Sequence, residues 1–190
     1  MLSHPVWARV LLMKAITIRI QEERKMSEFE CQWQHHGRTI TFSWVGEADV
    51  VVSRVYALAF TSDRKLLLVG GGPGDPGFWL PGGGIEEGET PEEALARELA
   101  EEAAAAIHAM ARLGAQRVDD PAAGTEYHDF YWCRVTLADE FVPVHEVKLR
   151  RLVTPEEFLD ILFWGRDDPK AAMLLDRALE IDRRHPVISD

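Results

Sequence analysis

The sequence contains little cysteine and no long hydrophobic run. Its two cysteines, Cys31 and Cys133, belong to no CxxC motif and to no Cys/His pair with the spacing of metal ligands. We interpret both as buried or idle thiols of a reducing compartment, which predicts a cytoplasmic protein. No apolar stretch approaches the roughly 18 residues that a membrane-spanning helix needs. The sequence therefore predicts no membrane partner.

Basic residues are also scarce. The chain has 21 Lys and Arg against 32 Asp and Glu, and its formal net charge is −11. Binding to duplex nucleic acid depends on basic side chains that neutralise phosphates, so this class of partner is excluded. A small phosphorylated ligand is compatible with the charge if a divalent cation screens the carboxylates. A homodimer is compatible with it as well.

The length of the chain suits one domain with modest appendages. With 190 residues, of which 46% are hydrophobic, one core can form but two full domains are not expected. Residues 1–25 are interpreted as an N-terminal extension and not as a secretory signal, because Lys14 interrupts their apolar part and no cleavage site stands out. The domain is predicted to span residues 26–190, and the extension is expected to be dispensable for chemistry.

Apolar periodicity and turn residues predict strands, then a helix, then strands, then helices. Helix starts are marked by Thr90-Pro91, Thr154-Pro155 and Asp168-Pro169, where a capping side chain precedes a proline. The predicted strands are 29–35 and 38–45, joined at His36-Gly37, then 51–60 and 65–70, and finally 115–118 and 126–137. This order predicts a single α/β domain with a mixed sheet between helices.

The helix after Thr90 carries three acids on one face. Glu98, Glu101 and Glu102 stand at positions i, i+3 and i+4, so they lie close together in a helix. Such carboxylates repel one another unless a cation neutralises them, and Mg²⁺ and Mn²⁺ prefer oxygen ligands. An acidic face by itself is more often only solvated. The residues expected to pack against the sheet are Ala96, Leu99, Ala100 and Ala103.

The segment before this helix supplies glycines and a wider spacing pattern. Gly82, Gly83 and Gly84 let the backbone approach a metal or a phosphate closely, because they carry no Cβ. The full spacing is Gly83, five residues, Glu89, seven residues, Arg97-Glu98-Leu99, one residue, Glu101-Glu102. This spacing resembles the Nudix box of the Nudix hydrolase superfamily. The resemblance implies an α/β/α sandwich and a metal-dependent hydrolase that cleaves a phosphoanhydride bond in a small nucleotide-like substrate.

The resemblance also implies a metal site. Glu98, Glu101 and Glu102 would bind one or more Mg²⁺ ions, with Mn²⁺ as an alternative, and the carbonyl of Gly83 would be a further ligand. Arg97 belongs to the same catalytic group. A bound divalent ion lowers the pKa of a coordinated water and neutralises charge on phosphoryl oxygens.

Further roles follow from the same resemblance. The general base that activates the attacking water would be one of the three glutamates, or an acid of a later loop such as Glu140 or Glu146. Glu89 and Arg97 would brace the loop against the helix, and Gly82 would give structural support.

One position departs from the family pattern. The glycine that usually follows the glutamate pair is Ala104 here, and Ala105 stands where a larger aliphatic residue is usual. That glycine ends the helix. Alanine either adopts the left-handed conformation of a C-cap at some cost, or lets the helix continue towards Met110. Both outcomes are open on sequence grounds, and the ligands lie upstream of either.

The substrate is indicated only by residues beyond the box. In the branch of the family that cleaves ADP-ribose a proline stands about sixteen residues further on, and Pro121 occupies that place, with Glu126 in the same loop. Phe78, Trp79 or Tyr131 could stack on a base. These residues favour a nucleoside diphosphate linked to another group, such as ADP-ribose or a nucleotide sugar. The alternatives are a nucleoside triphosphate, as in nucleotide-pool cleaning, and a catalytically silent ligand-binding domain.

Overall fold

The structure is a computed structural model that describes residues 30–71, 77–142, 147 and 149–185. The predicted extension, residues 1–25, and the expected start of the domain at Met26 lie outside these residues. Among the helices of the described part of the chain, none has the length and apolar character needed to cross a membrane.

Eight strands and three helices are formed by the described residues. The strands are β1 (Glu30–His35), β2 (Arg38–Gly46), β3 (Arg54–Phe60), β4 (Leu66–Gly70), β5 (Gly82–Gly84), β6 (Ala105–Asp120), β7 (Gly124–Leu137) and β8 (Leu149–Val153). The helices are α1 (Pro91–Ala103), α2 (Pro155–Ile161) and α3 (Pro169–Arg184). The order of strands and helices and the three predicted helix starts are confirmed.

The strands form one mixed sheet. Its order is β1-β2-β6-β7-β3-β4-β8, and β5 pairs with β3 beside this path. The pair β3–β7 is parallel, whereas the other strand pairs are antiparallel. The predicted hairpin at His36-Gly37 is confirmed: both residues have positive φ, at 47° and 76°, which suits a two-residue turn between twisted strands.

Helices cover both faces of the sheet, so the predicted α/β/α sandwich is confirmed. Successive side chains of a strand point to opposite faces. On β3, Val55, Ala57 and Ala59 pack with the buried side of α1, whereas Leu58 and Phe60 pack with residues of α2 and α3. The sheet therefore separates two hydrophobic cores, and the site described below lies where its strands β3 and β5 meet α1.

The face of α1 that packs on the sheet differs from the expectation. Its buried residues are Ala94, Leu95, Leu99 and Ala103. Ala96 and Ala100 are exposed, so their predicted packing was wrong. The physical reason is that Glu98 lies one turn after the buried residues Ala94 and Leu95 on the helix surface. The acidic face adjoins the packed face instead of opposing it, which brings the glutamates against the sheet.

Helix α1 ends at Ala103, and the alternative of a helix that continues towards Met110 was wrong. Ala104 is the C-cap in the left-handed conformation, with φ 49° and ψ 45°. Strand β6 starts at the next residue and pairs with β7 along its length, so it is also much longer than the predicted 115–118 strand. Non-local backbone hydrogen bonds to β7 outweigh the helix propensity of this alanine-rich segment.

We expect Ala104→Gly to stabilise the protein by about 1 kcal/mol, because glycine adopts the left-handed conformation without the steric cost of a Cβ. For a chain of this size the melting temperature should rise by roughly 2–4 °C in a thermal melt. Ala100→Gly is the matched control: Ala100 is exposed within the same helix, so glycine there should lower the stability by about 1 kcal/mol. Equal shifts in the two variants would contradict the assignment of the cap.

Candidate active site

The start of α1 is held in place by a capping box. The Thr90 hydroxyl accepts a hydrogen bond from the Glu93 N–H at 3.2 Å, and the Glu93 carboxylate accepts one from the Thr90 N–H at 2.8 Å. Pro91 occupies the first helical position, where no N–H is needed. This cap sets where the helix begins, and therefore which later residues face the glycine strand β5.

Arg97 connects the helix to the preceding loop. Its Nε and Nη2 donate to the two carboxylate oxygens of Glu89 at 2.8 and 2.9 Å, and Nη2 also donates to the Gly84 carbonyl at 2.9 Å. These hydrogen bonds from Arg97, and one from the Glu86 N–H, lower the pKa of Glu89 to about 2. Glu89 is therefore ionised at neutral pH, in a bidentate pair of the kind that fixes side-chain orientation. The pair of Arg97 and Glu89 therefore fixes the preceding loop against helix α1.

Arg97 also reaches two of the three acids. Its Nη1 lies 3.0 Å from Glu98 Oε1 and 3.5 Å from Glu101 Oε2. The Glu98 side chain is 14% exposed, whereas that of Glu101 is 44% exposed. Glu98 is thus inside the site, and Glu101 stands at its rim, where solvent and ligands have access.

Two of the acids also lie against the backbone of β5. Glu102 Oε2 accepts a hydrogen bond from the Gly82 N–H at 2.9 Å. The Glu98 carboxylate lies so close to Gly83 that a Cβ there would be 2.6 Å from Glu98 Cδ. Glycine is therefore required at 83 for the acid to lie against the strand. Gly82 also requires glycine, because its φ is +143° and a Cβ there would lie 2.8 Å from Tyr56 Cα.

The donor set suits a hard divalent cation. Among the described residues, no three Asp, Glu, His or Cys side chains form a group that could hold a metal ion as they stand. Arg97 engages Glu98 and Glu101, and Glu102 is bonded to the backbone. All three are nevertheless carboxylates on one helix face, and the missing Cβ of Gly83 leaves room for a close approach. Oxygen donors of this kind fit Mg²⁺ or Mn²⁺.

One cavity adjoins this acidic face, and a second cavity is its neighbour. One has a volume of about 290 Å³ and includes Gly82 and Glu102 in its lining. The other, of about 150 Å³, lies on the α2/α3 side of the sheet. Tyr56, Trp79 and Leu80 line both cavities, so the two are neighbours. A ligand whose charged part lies near Glu102 could extend across Trp79 into the second cavity.

Of the three residues predicted to bind substrate, Trp79 lines the two described cavities, whereas Glu126 and Pro121 do not. Glu126 accepts a hydrogen bond from the Ser53 hydroxyl at 3.0 Å and lies 2.8 Å from His128 Nε2, so it stands behind a cavity residue. Pro121 lies in the exposed turn between β6 and β7 and lines neither of the two described cavities.

The remaining candidates for base stacking and for the general base that the structure describes do not line the two described cavities. The hydroxyl of Tyr131 donates to Glu92, and its ring is buried in the core beneath α1, which makes stacking on a ligand impossible there. Phe78 packs under the guanidinium of Arg151. Glu140 is exposed in the segment after β7, and Glu146 lies outside the described residues.

Four polar residues of the smaller cavity were missed by sequence reasoning. They are Gln116, His128, Asp168 and Lys170. They come from β6, β7 and the start of α3, and no spacing in the sequence connects them. Asp168 was noticed only as a helix cap, a role that it has, since its carboxylate accepts from the Lys170 N–H at 2.9 Å.

The α/β/α sandwich and the acidic helix face against a glycine strand define the class of fold, and comparison with known proteins identifies the family. A family model described as NUDIX domain matches residues 52–174, more than half of the chain. The chain belongs to the NUDIX family and is a Nudix-type hydrolase. A search of curated proteins found no match.

Solved structures share the fold at low sequence identity. A mutant of the Bacillus subtilis pyrophosphohydrolase BsRppH is 20% identical with a TM-score of 0.62, and the match covers 80% of this chain and 97% of that one. The NUDIX domain of Shewanella oneidensis NrtR, solved as a complex with ADP ribose, is 23% identical with a TM-score of 0.53, covering 70% and 90%. A NUDIX hydrolase from Nitrosomonas europaea is 18% identical with a TM-score of 0.54, covering 72% and 94%. At these identities the likeness concerns the fold.

Proposed function

We propose that this chain hydrolyses a phosphoanhydride bond in a nucleoside diphosphate linked to another group, with a divalent cation as cofactor. One observation carries the proposal: Glu98 and Glu102 lie against β5, and Glu102 lines a cavity that shares Trp79 with an aromatic-walled cavity. A site for the phosphates and their cation thus lies next to a site for the aromatic base, which is the arrangement that a nucleotide requires.

Glu98, Glu101, Glu102 and the carbonyl of Gly83 would hold Mg²⁺, with Mn²⁺ as the alternative. When bound, the ion supplies charge neutralisation at the phosphoryl oxygens and lowers the pKa of water. The protein's own part is positioning. Arg97, paired with Glu89, holds the helix at a constant distance from Gly84, so that the acids keep their orientation towards β5.

The proton of the attacking water needs an acceptor. A carboxylate within hydrogen-bond reach of that water can take it, and Glu98, Glu101 and Glu102 are the nearest candidates because they line the face that meets β5. Glu140 lies in an exposed segment of another part of the chain and is the second choice.

A panel of substrates tests the proposed activity. We expect ADP-ribose or a nucleotide sugar such as UDP-glucose to be cleaved faster than any nucleoside triphosphate, in the presence of Mg²⁺ and not with EDTA. Product nucleotides and phosphate are measured by chromatography, and Glu102→Gln is the control for contaminating activity. Faster turnover of a deoxynucleoside triphosphate would favour the nucleotide-pool function. Ligand binding without turnover of any substrate would identify a silent domain.

A further inference from the structure

The smaller cavity has the walls of a site for a planar ring. Six aromatic side chains line it, each from a different part of the chain: Trp33, Phe42, Tyr56, Trp79, Phe130 and Trp164. Several are in edge or tilted contact, with ring centroids 5.7 Å apart for Trp33–Phe42 and for Tyr56–Phe130. A cavity of about 150 Å³ is of the size that accommodates one aromatic ring.

A buried polar chain runs along one wall of this cavity. Gln116 and His128 are directly opposite each other on β6 and β7. Gln116 Nε2 lies 3.3 Å from His128 Nδ1, and His128 Nε2 lies 2.8 Å from Glu126 Oε1. Gln116 and His128 are 5% and 7% exposed. The three residues therefore form one connected series of hydrogen bonds, and only Glu126 is accessible to solvent.

These hydrogen bonds determine which end of the Gln116 amide faces His128. The Glu126 carboxylate can only accept, so His128 Nε2 must carry the hydrogen. Burial lowers the pKa of His128, although Glu126 opposes this, so the imidazole is neutral at pH 7 and its Nδ1 is an acceptor. Gln116 must then donate one of its two N–H hydrogens to Nδ1. Its Oε1 is left buried without a hydrogen-bond partner among the described residues, in a side chain that lines the cavity.

A second polar group lies in the same cavity. Lys170 is 3% exposed and pairs with the Asp168 carboxylate. Its ammonium stands over the Trp164 ring, 4.6 Å from the centroid. Asp168 also accepts from the Cys31 thiol at 3.2 Å. Burying two opposite charges so deeply carries a desolvation cost, so the pair is not explained by packing alone. An ammonium has three donors, and the Asp168 carboxylate uses one.

We propose that this cavity binds the base of the substrate, and that Gln116, oriented by His128 and Glu126, selects bases with an N–H donor on their edge. The proposal rests on the proposed nucleotide hydrolase function and names its recognition residues. Aromatic walls accept any planar base, whereas a bound base without a donor leaves the buried acceptor of Gln116 unsatisfied. Lys170 offers a donor to a carbonyl oxygen or ring nitrogen of the same base. Gln116 is a specificity residue; His128 and Glu126 are positioning residues.

Binding of nucleoside monophosphates without metal tests this separately from hydrolysis. The quenching of tryptophan fluorescence is titrated, because Trp33, Trp79 and Trp164 line the cavity. AMP and IMP are compared with purine riboside 5′-monophosphate, and CMP and UMP with 2-pyrimidinone riboside 5′-monophosphate. The reference nucleotide of each set has no N–H donor on its edge. Ribose 5-phosphate is the probe without a base.

We expect at least one donor-bearing nucleotide to bind about tenfold more tightly than its reference, and ribose 5-phosphate to cause no quenching. Gln116→Met removes the amide at similar length and should abolish the tenfold difference while leaving binding of the reference unchanged. His128→Phe should reduce the same difference, because Gln116 loses its orientation. Gln32→Met makes the same chemical change at an exposed position of β1 and should alter nothing.

The outcomes separate the two proposals. Equal binding of donor-bearing and reference nucleotides, or an unchanged difference in Gln116→Met and His128→Phe, overturns the role of Gln116. Quenching by ribose 5-phosphate equal to that by the nucleotides overturns the base site itself. Base-selective binding by a protein that hydrolyses none of its substrates would instead refute the proposed hydrolase activity and leave the recognition site in place.

Discussion

Turnover is expected to fall roughly a hundredfold or more when Glu98, Glu101 or Glu102 is replaced by glutamine. Glutamine keeps the size and helix propensity of glutamate, and at position 102 it keeps an oxygen that can accept from the Gly82 N–H. What it loses is the negative charge that a cation needs. The loss should therefore appear in Mg²⁺-dependent hydrolysis, because water activation and charge neutralisation both depend on the ion.

The melting temperature distinguishes the loss of the metal-binding charge from misfolding. Without metal, the melting temperature of Glu101→Gln and Glu102→Gln should hold or rise slightly, since like-charge repulsion on the helix face decreases. Glu92→Gln is the matched control: it lies on the same helix, is exposed, and keeps an acceptor for the Tyr131 hydroxyl 3.2 Å away. Its turnover should be unchanged. If the three site variants retain wild-type activity, α1 carries only a solvated acidic face and the site assignment is wrong.

Gly83→Ala is expected to reduce turnover about tenfold or more without a large loss of stability. The new Cβ would lie 2.6 Å from Glu98 Cδ. Since it meets the end of a flexible side chain, the backbone can stay in place while the carboxylate is displaced. A shift of about 1 Å in a catalytic group can cost two orders of magnitude in rate.

The neighbouring glycines provide the comparison. In Gly82→Ala the residue would keep a φ of +143° and its Cβ would meet the backbone of Val55 and Tyr56, so we expect a loss of roughly 3 kcal/mol or more in the free energy of unfolding. In Gly84→Ala the new Cβ would have no atom within 4 Å, so we expect no change in stability or in turnover. Urea unfolding and steady-state kinetics on the three variants check this. Equal loss of turnover at 83 and 84 would rule out the proposed contact with Glu98.

Local signals predicted the elements that position the catalytic helix. Thr90 and Pro91 mark its start, and the spacing of Glu98 and Glu102 predicted that the acids would share a face. These predictions succeeded because a capping box and a helical repeat depend on residues only three or four positions apart. The brace between Glu89 and Arg97 was predictable only through the family resemblance, since the two residues belong to different elements.

The sequence by itself therefore determined the helix starts, the hairpin turn at His36-Gly37, the acidic face and the family. The tertiary structure decided that Ala105–Asp120 is a strand, that α1 turns its acids towards β5, and that Gln116 meets His128 in a cavity that Lys170 also lines. Each of these depends on a partner distant in the chain. A segment rich in alanine takes the strand form only because β7 satisfies its backbone hydrogen bonds, and the Gln116 amide presents its oxygen as an acceptor because a buried imidazole orients its NH₂ group.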